Sequence, residues 1–306
     1  MGAPLEPHEI PPILEGRLLT GYGDAGRAWL EGFPKLLERF RRQWGVVRLE
    51  PHFPYVGFAW VAPCVLADGT RAVLKLSVPD KEFANEIAAL RLYGGDGAAR
   101  LLAADESAVA VLLERLEPGA TLASLHDDMA ATRIAADIAG RLYRPLPEGH
   151  SFPTVERWGA AFKRVRERFN GGCGAFPAEL FEPADHLYDE LAASQGERVL
   201  LHGDLHHFNI LSAGDGWRAI DPKGLAGERE YEIGPFLYNE ISGVGDLRGY
   251  TLRRIETFAE VLGLDRKRLI GWGFACAVLS RLWTFEDTGE VEEDHLAVAR
   301  ALLAEI

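Results

Sequence analysis

Between Val199 and Asp221 the order of apolar runs and turn formers leaves the chain one simple way to fold locally. Val199-Leu-Leu201 reads as an apolar strand running into the turn His202-Gly-Asp204. Phe208-Asn-Ile-Leu-Ser212 and Trp217-Arg-Ala-Ile220 read as two short strands around the turn Ala213-Gly-Asp-Gly216. The spacing predicts a β-hairpin. It folds the chain back on itself, so Asp221 returns to the neighbourhood of Asn209 although the whole hairpin separates them in sequence.

The side chains gathered this way are an acid, an amide and a second acid. Moving a phosphoryl group asks little covalent chemistry of a protein; it needs a group that orients the attacking hydroxyl and a cation that offsets phosphate charge. Taken singly, Asp204, Asn209 and Asp221 read as turn residues whose short side chains bond their own backbone. Together, the His-x-Asp-x-x-x-x-Asn spacing from His202, then a hairpin and an aspartate, matches the catalytic-loop logic of kinases at each position. Asp204 is the expected catalytic base, and Asn209 with Asp221 the expected oxygen ligands of a hard cation of the Mg²⁺ type. His206 and His207 beside Asp204 also suggest a metal-dependent hydrolase, but no second histidine and carboxylate cluster follows.

A kinase also needs a cation on the nucleotide phosphates. Ala72-Val-Leu-Lys-Leu76 reads as a strand and Lys81 to Tyr93 as a helix, with Phe83, Ile87 and Leu90 on one face at ~100° per residue. Glu86 lies at the edge of that face, placed to pair with Lys75 and hold it toward the phosphates of ATP. Val109 to Leu113 is the next apolar strand. Glu114-Arg-Leu-Glu-Pro-Gly119 then turns polar and turn-forming, as a hinge would. Backbone groups of Glu114, Arg115 and Leu116 are the expected partners of an adenine ring between two lobes. Where protein kinases carry a glycine-rich phosphate loop, Tyr55-Val-Gly-Phe-Ala-Trp60 holds a single glycine, which leaves the choice between ATP and GTP open.

These elements resemble the aminoglycoside phosphotransferase family, specifically its branch of streptomycin 6-kinases and hydroxyurea phosphotransferases. The resemblance rests on His202-Gly-Asp-Leu-His-His-Phe-Asn209, Ala219-Ile-Asp-Pro-Lys-Gly-Leu225, Arg91-Leu-Tyr-Gly-Gly95, Gly97-Ala-Ala-Arg-Leu-Leu102 and Leu112-Leu-Glu-Arg-Leu116. Asp-Pro-Lys-Gly in place of Asp-Phe-Gly favours a small-molecule acceptor over a protein. The resemblance implies an α+β, two-lobed protein-kinase-like fold with ATP and Mg²⁺ as cofactors. Its implied acceptor is a cationic aminoglycoside, with the 6-hydroxyl of streptomycin foremost and hydroxyurea or a related metabolite as the alternative. A reading of another class is a nucleotide-binding regulator without turnover, against which the complete Lys75, Glu86, Asp204, Asn209 and Asp221 set argues.

Length and composition set the frame. With 306 residues and 47% hydrophobic content, the chain can bury one or two substantial cores, and two lobes suit the length. The order of elements predicts a small antiparallel β-sheet lobe over residues 1–113, a hinge at 114–119 and a larger helical lobe over 120–306. A helical extension over 24–44 is expected to be interrupted by Pro34. Helical segments are expected near 130–143, 155–169, 177–193, 231–242, 247–262, 266–285 and 291–303. There is no apolar run of membrane-spanning length and no secretory start, and Cys64, Cys173 and Cys276 fit neither a disulfide framework nor a zinc site, so a cytoplasmic location is expected. A net charge of −13 disfavours nucleic acid and favours cations. Glu228, Glu230, Glu232, Glu286 and Asp287 are candidate carboxylates for a polycationic substrate. The acidic run that begins with the last two reads foremost as a solvated turn before the final helix, because charge runs usually face water.

Overall fold

Ala72, Leu74 and Leu76 alternate along one strand and so share one face, which is fully buried in an apolar core. The structure, a computed structural model, describes residues 9–53, 57–214 and 216–306, the side chain of Asp287 excepted. The chain divides into two compact units, Met1–Gly119 and Ala120–Ile306. The first contains α1 (Pro12–Gln43), β1 (Val46–Leu49), β2 (Ala59–Leu66), β3 (Arg71–Ser77), α2 (Lys81–Tyr93), β4 (Leu101–Asp105) and β5 (Ala110–Glu114). Its strands form one antiparallel sheet in the order β1-β2-β3-β5-β4. Lys75 thus sits on the central strand, opposite Val61 and Val111.

α2 follows β3 after a short turn because Asp80 caps it, accepting from the Phe83 N–H at 3.0 Å, and Gly94 ends it at φ 59°. α1 differs from expectation. It starts at Pro12, a residue suited to the first helical turn, and breaks at Gly23 (φ 53°, ψ −123°), while Pro34 lies inside the helix. Glycine takes the left-handed turn without steric cost, whereas Pro34 forfeits only its own N–H while the neighbouring turns continue. Leu14, Leu18, Trp29, Phe33, Leu37 and Phe40 of α1 join Trp60, Ala62, Leu74 and Leu76 in one apolar core. β1 ends at Leu49. Past it, N–H groups of Glu50 and Phe53 still reach the Pro63 and Val61 carbonyls, but Pro51 has no N–H to continue the ladder. Within the segment expected to cover the phosphates, Tyr55 and Val56 fall outside the described residues.

After β6 (Pro118–Thr121), which runs across the division, come α3 (Asp128–Leu142), β7 (Arg144–Pro145), α4 (Val155–Arg168), α5 (Ala178–Ala193) and β8 (Arg198–Leu201). β9 (Ile210–Ala213), β10 (Gly216–Ala219), β11 (Leu225–Glu228), α6 (Gly234–Tyr238), α7 (Leu247–Leu262), α8 (Arg266–Thr288) and α9 (Glu293–Leu302) complete the chain. α8 is the core of this unit. Its Leu269, Ile270, Trp272, Phe274, Val278, Leu279 and Leu282 are buried on all sides, so it lacks the polar face of a surface helix. The helix expected over 231–242 shrinks to α6, preceded by the 3₁₀ turn Arg229–Ile233, and the chain is extended again at Asn239. Among the described residues no helix is long and apolar enough to cross a membrane.

Candidate active site

β8 delivers the chain to His202, and β11 brings it back, with Leu225 opposite Leu201. Everything between is one closed loop carrying the β9–β10 hairpin, which runs from Ile210 opposite Ala219 to Ala213 opposite Gly216. The expected first strand began at Phe208. Instead His207–Asn209 is a 3₁₀ turn, held by the Asn209 N–H on the His206 carbonyl at 2.9 Å. Past the hairpin's open end, the Ile220 N–H donates to the Asn209 carbonyl at 2.9 Å. That bond places Asp221 next to Asn209, as the hairpin argument required.

His202 ties the loop's two ends together. Its buried imidazole accepts from the Asp204 N–H through Nδ1 at 3.2 Å and donates from Nε2 to the Ile220 carbonyl at 2.9 Å. This bonding assigns the single proton to Nε2, and burial holds the ring at a pKa of about 4, well below the usual histidine range. The His202 carbonyl in turn accepts from the Lys223 N–H at 2.8 Å. Gly203 has φ +83°, and a Cβ there would lie 3.1 Å from Trp158 and 3.2 Å from Leu225, so glycine is required by both conformation and space.

Asp204 is about one-third exposed. Asn209 Nδ2 donates to the Asp204 carbonyl at 2.9 Å and lies 3.4 Å from its Oδ2, while His206 Nε2 lies 3.6 Å from its Oδ1. With its NH₂ committed to the loop, the Asn209 amide turns its oxygen elsewhere. Asp221, in a left-handed backbone (φ 61°) that aspartate tolerates better than most residues, adds a carboxylate 3.8 Å from Lys223 Nζ. An oriented amide oxygen beside a carboxylate suits Mg²⁺, which takes one or two protein oxygens and completes its shell with phosphates and water.

In the first unit, Lys75 Nζ bonds both carboxylate oxygens of Glu86 at 2.7 and 2.8 Å and lies 5.0 Å from the centroid of the Phe83 ring. Both residues are buried, so neither is a solvated surface charge. Such a pair holds because each charge leaves water against the other. The hinge residues are less available than expected. Glu114 N–H donates to the Arg100 carbonyl at 2.9 Å and Arg115 N–H to the Arg71 carbonyl at 3.4 Å, because the sheet extends to that point. The Glu114 carboxylate accepts from Arg100 N–H, and the Arg115 guanidinium pairs with Glu50 at 2.5 Å. Of the three expected adenine partners, Leu116 is the one whose N–H enters no described hydrogen bond.

The substrate carboxylates need the largest correction. Glu228 is buried and bonded to the Arg268 side chain, the Trp272 indole N–H and the Gly196 N–H, so it faces the helical core. Glu232 is buried beneath the loop that begins at His202, accepting from His202 N–H at 2.6 Å and Gly203 N–H at 2.9 Å. Burial pushes its pKa up to about 8 against the pull of those two bonds. It braces the loop that carries Asp204. Glu286 is gripped by Arg164 through two bonds of 2.7 Å, joining α8 to α4, so its carboxylate is already occupied. Glu230 remains half-exposed, and the Asp287 side chain lies outside the described residues. Tyr238 was missed. Burial first, then the charge of Asp204, holds its phenol well above the ordinary range, and its ring stacks on His295 at 4.3 Å.

Residues 56–288 match the pattern of the family described as aminoglycoside/hydroxyurea antibiotic resistance kinase. The chain is 36% identical over 299 residues to a streptomycin 6-kinase of Streptomyces griseus, covering 96% of each chain. It is 38% identical over 301 residues to a hydroxyurea phosphotransferase of Kitasatospora aureofaciens, covering 96% of this chain and 86% of that one. Its fold is that of the aminoglycoside phosphotransferase APH(3'')-Id from Streptomyces rimosus, solved with ADP and streptomycin, at a TM-score of 0.57 and 19% identity, over 81% of this chain and 98% of that one. Site and sequence together show that the chain belongs to the aminoglycoside/hydroxyurea antibiotic resistance kinase family, with a protein-kinase-like fold.

Proposed function

We propose that the chain is a cytoplasmic, ATP- and Mg²⁺-dependent kinase that transfers a phosphoryl group to the 6-hydroxyl of streptomycin. The observation that carries the reading is the loop in which Asn209 holds Asp204 through Nδ2 while the Ile220–Asn209 backbone bond delivers Asp221. Sequence identity to a streptomycin 6-kinase over nearly the whole chain supports the acceptor. Asp204 orients the acceptor hydroxyl and takes its proton as the oxygen attacks the γ-phosphorus, whose bond to the β,γ-bridging oxygen breaks to release ADP. Asn209 and Asp221 would hold Mg²⁺, which when bound would offset the charge on the phosphate oxygens. Lys75, kept in place by Glu86, meets the nucleotide phosphates, and Leu116 N–H is the backbone donor left for the adenine. In this reading residues 1–113 bind nucleotide, 114–119 act as the hinge and 120–306 carry catalysis and the acceptor. Glu230 is the half-exposed carboxylate left among the described candidates for a cationic acceptor.

A second reading is hydroxyurea as acceptor, favoured by the similarly high identity to a hydroxyurea phosphotransferase. Incubation with ATP, Mg²⁺ and either compound, with added phosphate located by NMR, decides between them. Phosphate on the streptomycin 6-oxygen is the expected result. Robust transfer to hydroxyurea with none to streptomycin would replace the first reading by the second.

A further inference from the structure

Arg254, on α7, belongs to no motif readable in the sequence, yet its exposure is 0%. A guanidinium has five N–H donors and no acceptor, so burying one demands a nearly full set of acceptors around it. Nε and Nη2 donate to Asp128 Oδ1 at 3.0 and 2.7 Å, and Nη1 donates to the Phe236 and Asn239 carbonyls at 2.9 and 2.8 Å. Nη2 also lies 2.7 Å from Tyr250 Oη and 3.2 Å from His207 Nε2.

The contact with His207 reaches the catalytic loop. Because Arg254 can only donate, that contact is a hydrogen bond when Nε2 offers its lone pair, which puts the imidazole proton on Nδ1. His207 Nδ1 is buried with no partner among the described residues. The ring is stacked on Phe236 with centroids 3.9 Å apart, and it stands in the turn between Asp204 and Asn209. A site that only needed filling would favour an apolar ring, which leaves no buried donor unsatisfied. What an apolar ring lacks is the accepting nitrogen that faces Arg254.

We infer that Arg254 is a positioning residue for phosphoryl transfer: held by Asp128, it grips His207 Nε2 and fixes the turn that sets Asn209 against Asp204. The inference rests on the kinase activity proposed above. Its test therefore uses an acceptor that the unmodified chain has been shown to phosphorylate, so a wrong acceptor is recognised first and separately. His207→Phe keeps the stack on Phe236 and leaves Arg254 its other acceptors, while removing the nitrogen. Its kcat is expected to fall about tenfold or more, with KM for ATP and acceptor within about twofold and no loss of thermal stability. Arg254→Lys is expected to lower kcat at least as much, and the double variant to be no slower than Arg254→Lys, since both break one link. If Arg254→Lys does not fold, His207→Phe alone carries the test. An unchanged kcat for His207→Phe, or losses that multiply in the double variant, overturns the inference.

Discussion

In the proposed mechanism Asp204 offers one carboxylate to the acceptor, and Asp204→Asn keeps its shape while removing its basicity. Turnover is expected to fall by roughly 10² to 10⁴, with nucleotide affinity retained. A rate equal to that of the unmodified chain would mean that another group takes the proton. At Lys75 and Glu86 the expected effect is on stability as well as activity. Glu86→Leu leaves a buried ammonium without its partner and is expected to cost about 3–5 kcal/mol, whereas Lys75→Met with Glu86→Leu should recover much of that in urea unfolding without recovering activity. Single and double variants of equal stability would show that burial does not couple the pair. The meeting of Asp204, Asn209 and Asp221 in space was legible because their spacing is fixed by a local hairpin. The carboxylates Glu228 and Glu232 were misjudged because acidity alone was read. Each sits beside apolar residues, Ala226 and Gly227 before one, Tyr231 and Ile233 around the other, and a charge in such company is buried against donors rather than offered to a ligand.

Among the elements, the loop from His202 to Gly224 depends on backbone more than on side chains. Gly203→Ala would force a left-handed conformation on alanine and press a methyl group against Trp158 and Leu225. The variant is expected to lose roughly 1–3 kcal/mol of stability and most of its activity, because the displaced residue precedes Asp204. Crystals of an active variant with an unmoved loop would contradict this. Strands and helices with strong periodicity were legible: α2 and α7 occupy the residues expected of them. Ends and breaks were not. The hairpin's first strand gives way to a 3₁₀ turn before Ile210, and α1 bends at Gly23 and not at Pro34, since neighbouring turns decide which breaker takes effect.

The molecule as a whole should respond to acid through its buried histidines. Burial holds His202 and His295 at a pKa of about 4 and His207 at about 2, against roughly 6.5 in an unfolded chain. Below pH 6.5 the unfolded chain binds protons that the folded one refuses, so stability present above that pH is lost as pH falls toward 4. Glu232 works in the opposite sense: its raised pKa makes stability fall as pH rises through about 4.5 to 8. His295→Phe, which keeps a ring against Tyr238, isolates one contribution. The variant's unfolding free energy relative to the unmodified chain should improve by about 2–3 kcal/mol between pH 7 and pH 4, and a pH-independent difference would refute the assignment. The division into a sheet unit and a helical unit was legible from the order of periodicities. The network that centres on Arg254 was not, because Asp128, His207 and Arg254 meet only through packing that no local pattern announces.

α8 has a further consequence for how the chain comes into being. Synthesis runs from the amino terminus, so Asp204, Asn209 and Asp221 leave the ribosome before Arg266–Thr288 exists. Glu228 then lacks Arg268 and Trp272, and the apolar surfaces that α8 covers have nothing to close on. Nascent chains arrested before Arg266 should be cleaved readily by protease within the helical unit, and resistance should appear only once α8 has emerged. The residues that would move phosphate are therefore made early and become an enzyme late.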